Sequence, residues 1–127
     1  NLQKKYFMGG IKTEAGKGRI VPIHSGILPL VEHRVSKYGK LLPCSDKDFR
    51  NQMDELLTQL GIPGDPKHTP HDCRHTFSML CEKYEVKEND RKRMMGHSFK
   101  ADITNKVYGH RDIEDLRKEL EKIIIDL

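Results

Sequence analysis

The sequence predicts a mainly α-helical domain with one small β-hairpin, an α+β fold, on the basis of three observations. Apolar residues recur at helical spacing in several segments after residue 25. Glycine or proline stands at most boundaries between those segments, as is usual for helix ends and loops. Only residues 3–23 combine aromatic and β-branched residues with a glycine-containing turn, which is the pattern of a hairpin.

The composition indicates one domain that is long enough to bury a core, with 127 residues of which 35% are hydrophobic. Lysine and arginine outnumber aspartate and glutamate by 23 to 19, so the net charge of +4 weakly favours a polyanionic partner. The cysteines lack CxxC spacing, and Cys73 and Cys81 fall on the apolar side of a predicted helix. We therefore expect reduced core thiols in a cytoplasmic protein, and the lack of a long apolar run or signal-peptide pattern predicts no membrane association.

The predicted hairpin begins with a strand of apolar and aromatic residues, Tyr6, Phe7, Met8 and Ile11. Residues 14–18 form the turn, and residues 19–23 form the returning strand. Lys12 stands where the first strand enters the turn. A lysine near a hairpin tip is usually only solvated, so Lys12 acquires a role only in combination with other residues.

Two helices are predicted between the hairpin and the centre of the chain. Ser25 can cap the first helix, which runs to about Tyr38 and ends at Gly39. Ser45 starts the second helix, which stops at Gly61. Its predicted buried face is the stripe of Phe49, Met53, Leu56, Leu57 and Leu60. A loop rich in glycine and proline then covers residues 61–68.

The central helix is predicted to begin after Thr69, its N-cap, and to run to about Tyr84. Its apolar stripe consists of Cys73, Phe77, Leu80, Cys81 and Tyr84. At about 100° per residue, His71 and His75 fall together on the polar side, and Arg74 flanks the stripe. An imidazole and a guanidinium on one surface can bind an anion such as a phosphate.

Three shorter helices complete the predicted fold. The first covers about residues 87–95 and ends at Gly96, so His97 is the first residue beyond it. The second covers about residues 101–108. The last begins near Asp112 and carries an amphipathic seam that can pack on its own domain or on a neighbour, formed by Ile113, Leu116, Leu120 and Ile123.

Tyr108 can act as a nucleophile toward a phosphodiester if the other polar residues assemble around it. A phenol has an ordinary pKa of about 10, so its attack needs a base or nearby cations, which His71 and His97 can supply. Arg74 can neutralise charge on the phosphate oxygens through paired hydrogen bonds. Lys12 can protonate the departing alkoxide. This scheme uses no metal and no other cofactor.

A zinc site is the alternative, because His71 and His75 have the spacing of the two histidines in HExxH metalloproteases. Asp72 replaces the glutamate of that motif, and its shorter side chain reaches a metal-bound water less readily. The sequence shows no obvious third ligand, and Arg74 adds positive charge beside the metal position. We therefore favour the metal-free scheme.

The order of four motifs resembles the catalytic domain of the tyrosine recombinases, the phage-integrase family. These motifs are Lys12, His71-x-x-Arg74, Gly96-His97-Ser98 and Tyr108-Gly109-His110. The most similar stretches are GKGRIVPI at residues 16–23, PHDCRHTF at 70–77, MGHS at 95–98 and TNKVYGH at 104–110. The resemblance covers nearly the whole chain, and it implies the DNA breaking-rejoining fold.

The resemblance implies site-specific DNA recombination by the integrase of a phage or mobile element, in a bacterial or phage-infected cell. Tyr108 would attack DNA to form a 3′-phosphotyrosine and release a 5′-hydroxyl. The scissile phosphate would be held by Arg74 and His71, with a further bond from His97, and Lys12 would protonate the leaving group. The implied partner is double-stranded DNA, contacted by Lys12, Lys17, Arg19 and Arg74. The implied assembly is a homotetramer with the C-terminal helix exchanged between protomers.

The family also uses an arginine upstream of the hairpin and an N-terminal core-binding domain, and no arginine precedes Lys12 here. We therefore expect residues 1–127 to be the C-terminal portion of an integrase catalytic domain that is inactive, or nearly so, on its own. The alternative from another functional class is a DNA-binding or assembly module that keeps the motifs without catalysis.

Overall fold

The computed structural model describes residues 1–10, 13–97 and 111–126. In these residues the chain is mainly helical with one two-stranded antiparallel sheet, as the sequence predicts. The elements in order are β1 (Tyr6–Gly9), β2 (Arg19–Pro22), α1 (Leu28–Tyr38), α2 (Asp46–Gln59), α3 (Pro70–Lys83), α4 (Glu88–Met95) and α5 (Ile113–Leu120). The short helix predicted at residues 101–108 lies outside the described residues. No helix in the described ranges is long and apolar enough to cross a membrane.

The predicted hairpin is present, with strands shorter than expected. β1 and β2 pair antiparallel, with Gly9 opposite Arg19 at the end of the sheet. The connection contains a short 3₁₀ turn, in which the Thr13 Oγ1 atom accepts a hydrogen bond of 3.1 Å from the Gly16 N–H. This turn begins directly after the position of Lys12, which lies outside the described residues.

The hydrophobic core lies where α3, α4 and α5 meet. It consists of Cys81, Val86, Met94, Leu116, Leu120 and Ile123. α5 also packs against β2, and Arg117 donates hydrogen bonds to the carbonyl oxygens of Lys4 (2.9 Å) and Lys5 (3.1 Å). The amphipathic seam of the last helix is therefore packed on its own chain, one of the two arrangements that its sequence allows.

Ser25 does not cap α1, so this part of the prediction is wrong. The helix begins at Leu28 with Ile27 in the capping position. The Glu121 carboxylate instead accepts hydrogen bonds from the Ser25 N–H (2.7 Å) and hydroxyl (2.6 Å). Burial opposes the ionisation of Glu121, but these bonds outweigh it and hold the pKa of Glu121 below its usual value. The preferred partner of Ser25 is thus a carboxylate from the far end of the chain.

α2 forms as predicted, but its apolar stripe is not buried. The Asp48 N–H donates a 3.1 Å hydrogen bond to the Oγ atom of Ser45, which caps the helix. Leu56 and Leu60 are 53% and 62% exposed, and no residue of the helix is buried. Amphipathic periodicity specifies a helix with an apolar side, whereas burial also needs an element that covers that side. The described residues do not cover Leu56 and Leu60.

Cys73 is exposed, and of the two cysteines predicted to be core thiols only Cys81 is buried. The core covers the second half of α3, where Phe77 and Leu80 pack against it. The first turns of the helix lie beyond this cover. Burial raises the pKa of the Cys81 thiol to about 11, so Cys81 stays protonated at neutral pH.

Candidate active site

The first turn of α3 holds the His-x-x-Arg motif in place. The Thr69 N–H donates a 2.7 Å hydrogen bond to the Asp72 Oδ2 atom, as part of a capping box. This bond holds the pKa of the Asp72 carboxyl below its usual value. The Asp72 carboxylate is therefore bound at the start of the helix, and it does not take the role that glutamate has in the HExxH motif. Among the described residues, no group of three or more His, Cys, Asp or Glu side chains is arranged to hold a metal ion.

His71 and His75 are exposed on the same face of α3, as the helical spacing predicts. Their ring centroids lie 4.7 Å apart and their planes are nearly perpendicular, at 89°. The edge of one ring thus packs on the face of the other, which limits the rotation of His71. Within the described part of the chain, no hydrogen bond joins His71 to Arg74 or His97.

Arg74 reaches from α3 to the end of α4. Its Nη2 atom donates a short hydrogen bond to the carbonyl oxygen of Met95, the last residue of α4. The last carbonyl groups of a helix lack partners within the helix and carry partial negative charge, so a guanidinium is a favourable donor to them. Met95 is only 7% exposed, and Arg74 is therefore attached to a well-packed part of the fold.

A glycine turn at the end of α4 places His97. Gly96 has a left-handed backbone with φ of 71°, and the His97 N–H donates a 2.9 Å hydrogen bond back to the Lys92 carbonyl oxygen. The His97 side chain is exposed, yet its pKa lies below the usual value of 6.5, first because of partial desolvation and then because of the charges on Arg74, Arg91 and Lys92. Near pH 7 the ring is therefore neutral and can donate one hydrogen bond and accept another.

The hairpin turn packs directly against this exit from α4. A Cβ atom built on Gly96 would lie 2.9 Å from the Gly16 Cα atom and 3.0 Å from the Arg19 Nη1 atom. Only glycine fits at such a crossing with a positive φ angle. A Cβ atom built on Gly10 would overlap the carbonyl oxygen of Gly16. Gly10 and Thr13, the nearest described residues on either side of Lys12, therefore belong to the hairpin turn. This turn contacts the glycine turn that precedes His97.

The structure brings Arg74, Arg19 and His97 together at the C-terminal end of α4. His71 lies on α3 with Arg74, and its ring contacts His75. Lys17 is exposed in the hairpin turn. Two further predicted residues, Lys12 and Tyr108, lie outside the described residues.

The two arginines of this cluster are not neutralised within the described part of the chain. Neither Arg74 nor Arg19 forms an ion pair with a carboxylate there, whereas Arg91 pairs with Glu82 at 2.6 Å. Arg74 donates to a carbonyl oxygen, and Arg19 donates to the Gly16 carbonyl at 3.4 Å. Uncompensated guanidinium groups on adjacent elements attract an anion, and a phosphate matches their planar geometry.

Sequence reasoning missed the ion pair between Asp90 and Arg111. Asp90 is 2% exposed on α4 and accepts hydrogen bonds from the Arg111 Nε (3.0 Å) and Nη2 (2.7 Å) atoms. These bonds raise the pKa of Arg111, which stays charged. The available signal was the helical spacing of Asp90 and Met94, which places an acid on the buried face, where it needs a cation.

His24 was also missed. It is 7% exposed, its Nδ1 atom accepts a 2.9 Å hydrogen bond from the Gly26 N–H, and its Nε2 atom donates at 2.8 Å to the carbonyl oxygen of Ile123. The two bonds hold the segment after α5, with the donor and acceptor roles of the ring nitrogens assigned from their partners. A single histidine in a loop carries no local signal of that role.

Comparison with known proteins finds no matching family model, no similar curated protein and no similar solved structure. In the described part of the chain, the candidate site consists of Arg74, Arg19 and His97 at the end of α4.

Proposed function

We propose that this chain is the C-terminal part of the catalytic domain of a tyrosine recombinase, with the DNA breaking-rejoining fold, and that it acts on DNA by transesterification. The observation that carries the proposal is the convergence of Arg74, Arg19 and His97 at the end of α4. In the described residues neither arginine has a carboxylate partner, so the positive charge of the site is not neutralised there, and Arg74 is available to a phosphate. The motifs His-x-x-Arg, Gly-His-Ser and Tyr-Gly-His, in that order, support the same assignment.

In the first step, the hydroxyl oxygen of Tyr108 attacks the scissile phosphorus. A phosphorus–oxygen bond forms to the tyrosine, and the bond from phosphorus to the 5′ oxygen breaks. The phenolic proton passes to an imidazole, and His71 and His97 are the candidates, since a neutral ring can accept it. The products are a 3′-phosphotyrosine ester and a free 5′-hydroxyl. One ester bond replaces another, so rejoining requires no external energy source.

Arg74 and His71 act on the non-bridging oxygens of the phosphate. Negative charge accumulates on these oxygens during the attack, and a guanidinium that is already in position stabilises it without reorganisation. The bond from Arg74 to the Met95 carbonyl uses one of the five guanidinium N–H donors, so a phosphate can bind the others. The neutral His97 ring donates a further hydrogen bond to a phosphate oxygen.

Lys12 protonates the 5′ alkoxide as it leaves. The hairpin residues that flank it, Gly10 and Thr13, belong to the turn packed near Gly96, which supports the proposal that Lys12 serves the phosphate held by Arg74 and His97. General acid help of this kind typically contributes about 10² to 10⁴ in rate. The reaction as proposed uses no metal.

Double-stranded DNA binds along the face that carries Lys17 and Arg74. The active assembly is a homotetramer. In the single chain, Leu116 and Leu120 of α5 belong to the core. Exchange of this helix between protomers would therefore recreate the same contacts with a neighbouring molecule, as in domain swapping.

The test uses a nicked DNA substrate that traps the covalent intermediate, incubated with the chain extended to its natural N-terminus and, in parallel, with residues 1–127. A denaturing gel should show a protein–DNA adduct with the extended protein, little or none with residues 1–127, and none with Tyr108→Phe. If the extended protein binds DNA but forms no adduct, the proposal is wrong, and the chain is a DNA-binding or assembly module.

A further inference from the structure

The side chain of Arg19 does not extend freely into solvent, although the family resemblance implies that it contacts DNA. The residue is partly buried, and its guanidinium lies over the glycine turn before His97. We propose that Arg19 is a positioning residue that holds the hairpin turn bearing Lys12 against the turn bearing His97. This inference rests on the proposed function, because it assigns Arg19 the task of placing the general acid.

On the α4 side, the contact is close and leaves no room for a larger side chain. A Cβ atom at Gly96 would lie 3.0 Å from the Arg19 Nη1 atom and 3.2 Å from its Cδ atom. The arginine stem and its head group therefore both cross the backbone at Gly96. Since His97 is the next residue, the position of Arg19 is coupled to that of the histidine.

On the hairpin side, the same guanidinium reaches the backbone on both flanks of Lys12. The Arg19 Nη1 atom donates a 3.4 Å hydrogen bond to the Gly16 carbonyl oxygen, and a Cβ atom on Gly10 would lie 2.7 Å from it. Thr13 closes the turn by accepting the Gly16 N–H at 3.1 Å. One planar group is thus enclosed by three glycines, one before Lys12, one after it and one at the end of α4.

Arginine suits this position better than lysine does. A flat, delocalised guanidinium can lie between backbone segments and still donate in its own plane, whereas an ammonium is a compact and strongly hydrated charge.

The experiment compares Arg19→Gln with Arg34→Gln in the extended protein. Arg34 is a matched control, since its Nε atom also donates to a backbone carbonyl, that of Leu41 at 2.8 Å, but within the α1 region. Adduct formation is measured in single turnover at saturating DNA, with a normal nicked substrate and with one whose 5′ bridging oxygen is replaced by sulfur. A thiolate leaves without protonation because of its low pKa.

We expect Arg19→Gln to slow adduct formation on the normal substrate by about tenfold or more, with DNA affinity within about threefold of wild type. The sulfur substrate should restore most of the rate, as it should for Lys12→Ala. Arg34→Gln should behave as wild type on both substrates. Arg19 would be a DNA ligand if Arg19→Gln lowered DNA affinity and weakened the salt dependence of binding by the amount expected for about one lost phosphate contact. That result would overturn the inference. Equal slowing on both substrates would also overturn it.

A second measurement does not depend on catalysis. Amide hydrogen exchange should accelerate at Gly16 and His97 in Arg19→Gln, because both N–H groups lie in the two turns that Arg19 joins. Exchange at core positions of α3 should stay as in wild type. Unchanged exchange at Gly16 and His97 would overturn the positioning role even in an active recombinase. If instead the wild-type protein forms no adduct while this exchange effect is present, the proposed function fails and the contact made by Arg19 stands.

Discussion

The Nη2 atom of Arg74 donates a hydrogen bond to the carbonyl oxygen of Met95, which ties the third helix to the last residue of the fourth. His97 follows two residues later. This bond therefore sets the relative position of two residues that we propose to act on one phosphate. A hydrogen bond to a charged group typically contributes about 1.5–3 kcal/mol to stability.

The pKa of His97 should report the proximity of Arg74. The positive charge of Arg74 is one of the causes that lower this pKa, after partial desolvation, so Arg74→Gln should raise it toward 6.5. NMR titration of the His97 ring protons measures the change. Lys118→Gln removes an equal charge from the exposed side of α5 and should leave the titration unchanged. The same His97 pKa in wild type and Arg74→Gln would contradict the geometry.

Replacement of Gly96 by alanine should cost more stability than replacement of Gly39. Both residues have positive φ angles, 71° and 73°, but only Gly96 has neighbours where a Cβ atom would lie. The left-handed backbone alone costs about 1–2 kcal/mol for alanine, and the steric clash at Gly96 should add about 1–3 kcal/mol. Urea unfolding of the two variants measures the difference. Equal losses would show that the hairpin does not pack on the end of α4.

Glu119 should be important for stability, although it is charged. It is 6% exposed and accepts hydrogen bonds from the Lys87 N–H (2.9 Å) and the Lys122 Nζ atom (2.8 Å). Burial opposes its ionisation, but these bonds outweigh burial and lower its pKa. Glu119→Ala should therefore cost about 2–4 kcal/mol in the free energy of unfolding, since two donors lose their acceptor.

The matched control for Glu119 is Glu114→Ala, on the exposed side of the same helix, where a surface pair with Arg117 should contribute about 0–1 kcal/mol. Because the pKa of Glu119 is lower in the folded chain than in the unfolded chain, its contribution is complete above the ordinary value of 4.5 and is lost as the pH falls through the folded value. The difference in the free energy of unfolding between wild type and Glu119→Ala should therefore become smaller in acid. A difference that becomes larger in acid would contradict the assignment.

His71 and His75 should differ in their effect on cleavage despite their ring contact. We assign His71 to the phosphate and His75 to its support, so His71→Gln should lower the rate of adduct formation by about 10² to 10³ and His75→Gln by about tenfold or less. Single-turnover rates on the nicked substrate decide this, with melting temperatures to confirm that both variants fold. A larger loss for His75→Gln would reverse the two assignments.

Features set by neighbouring residues could be predicted from the sequence. Thr69, Pro70 and Asp72 mark the start of α3, and Gly96 marks the end of α4, because capping is decided within one helical turn. The shared face of His71 and His75 follows from the helical period alone.

Features that depend on distant parts of the chain could not be predicted. Ser25 is bound by Glu121, and Arg19 packs against the backbone at Gly96, and both neighbours are far away in sequence. The exposed stripe of α2 shows the converse, since Leu56 and Leu60 have the pattern of a buried face but no cover in the described residues. Periodicity defines which side of a helix is apolar, and tertiary contacts decide whether that side is buried.

We propose that Tyr108 forms a covalent ester with the 3′ phosphate of DNA. Mass spectrometry of the adduct, after digestion with protease and nuclease, tests this most directly. We predict one modified peptide, containing Tyr108 linked to a 3′-phosphorylated nucleotide, with a free 5′-hydroxyl on the released strand. Attachment to another residue, a 5′-phosphate linkage or the absence of any linked nucleotide would contradict the account.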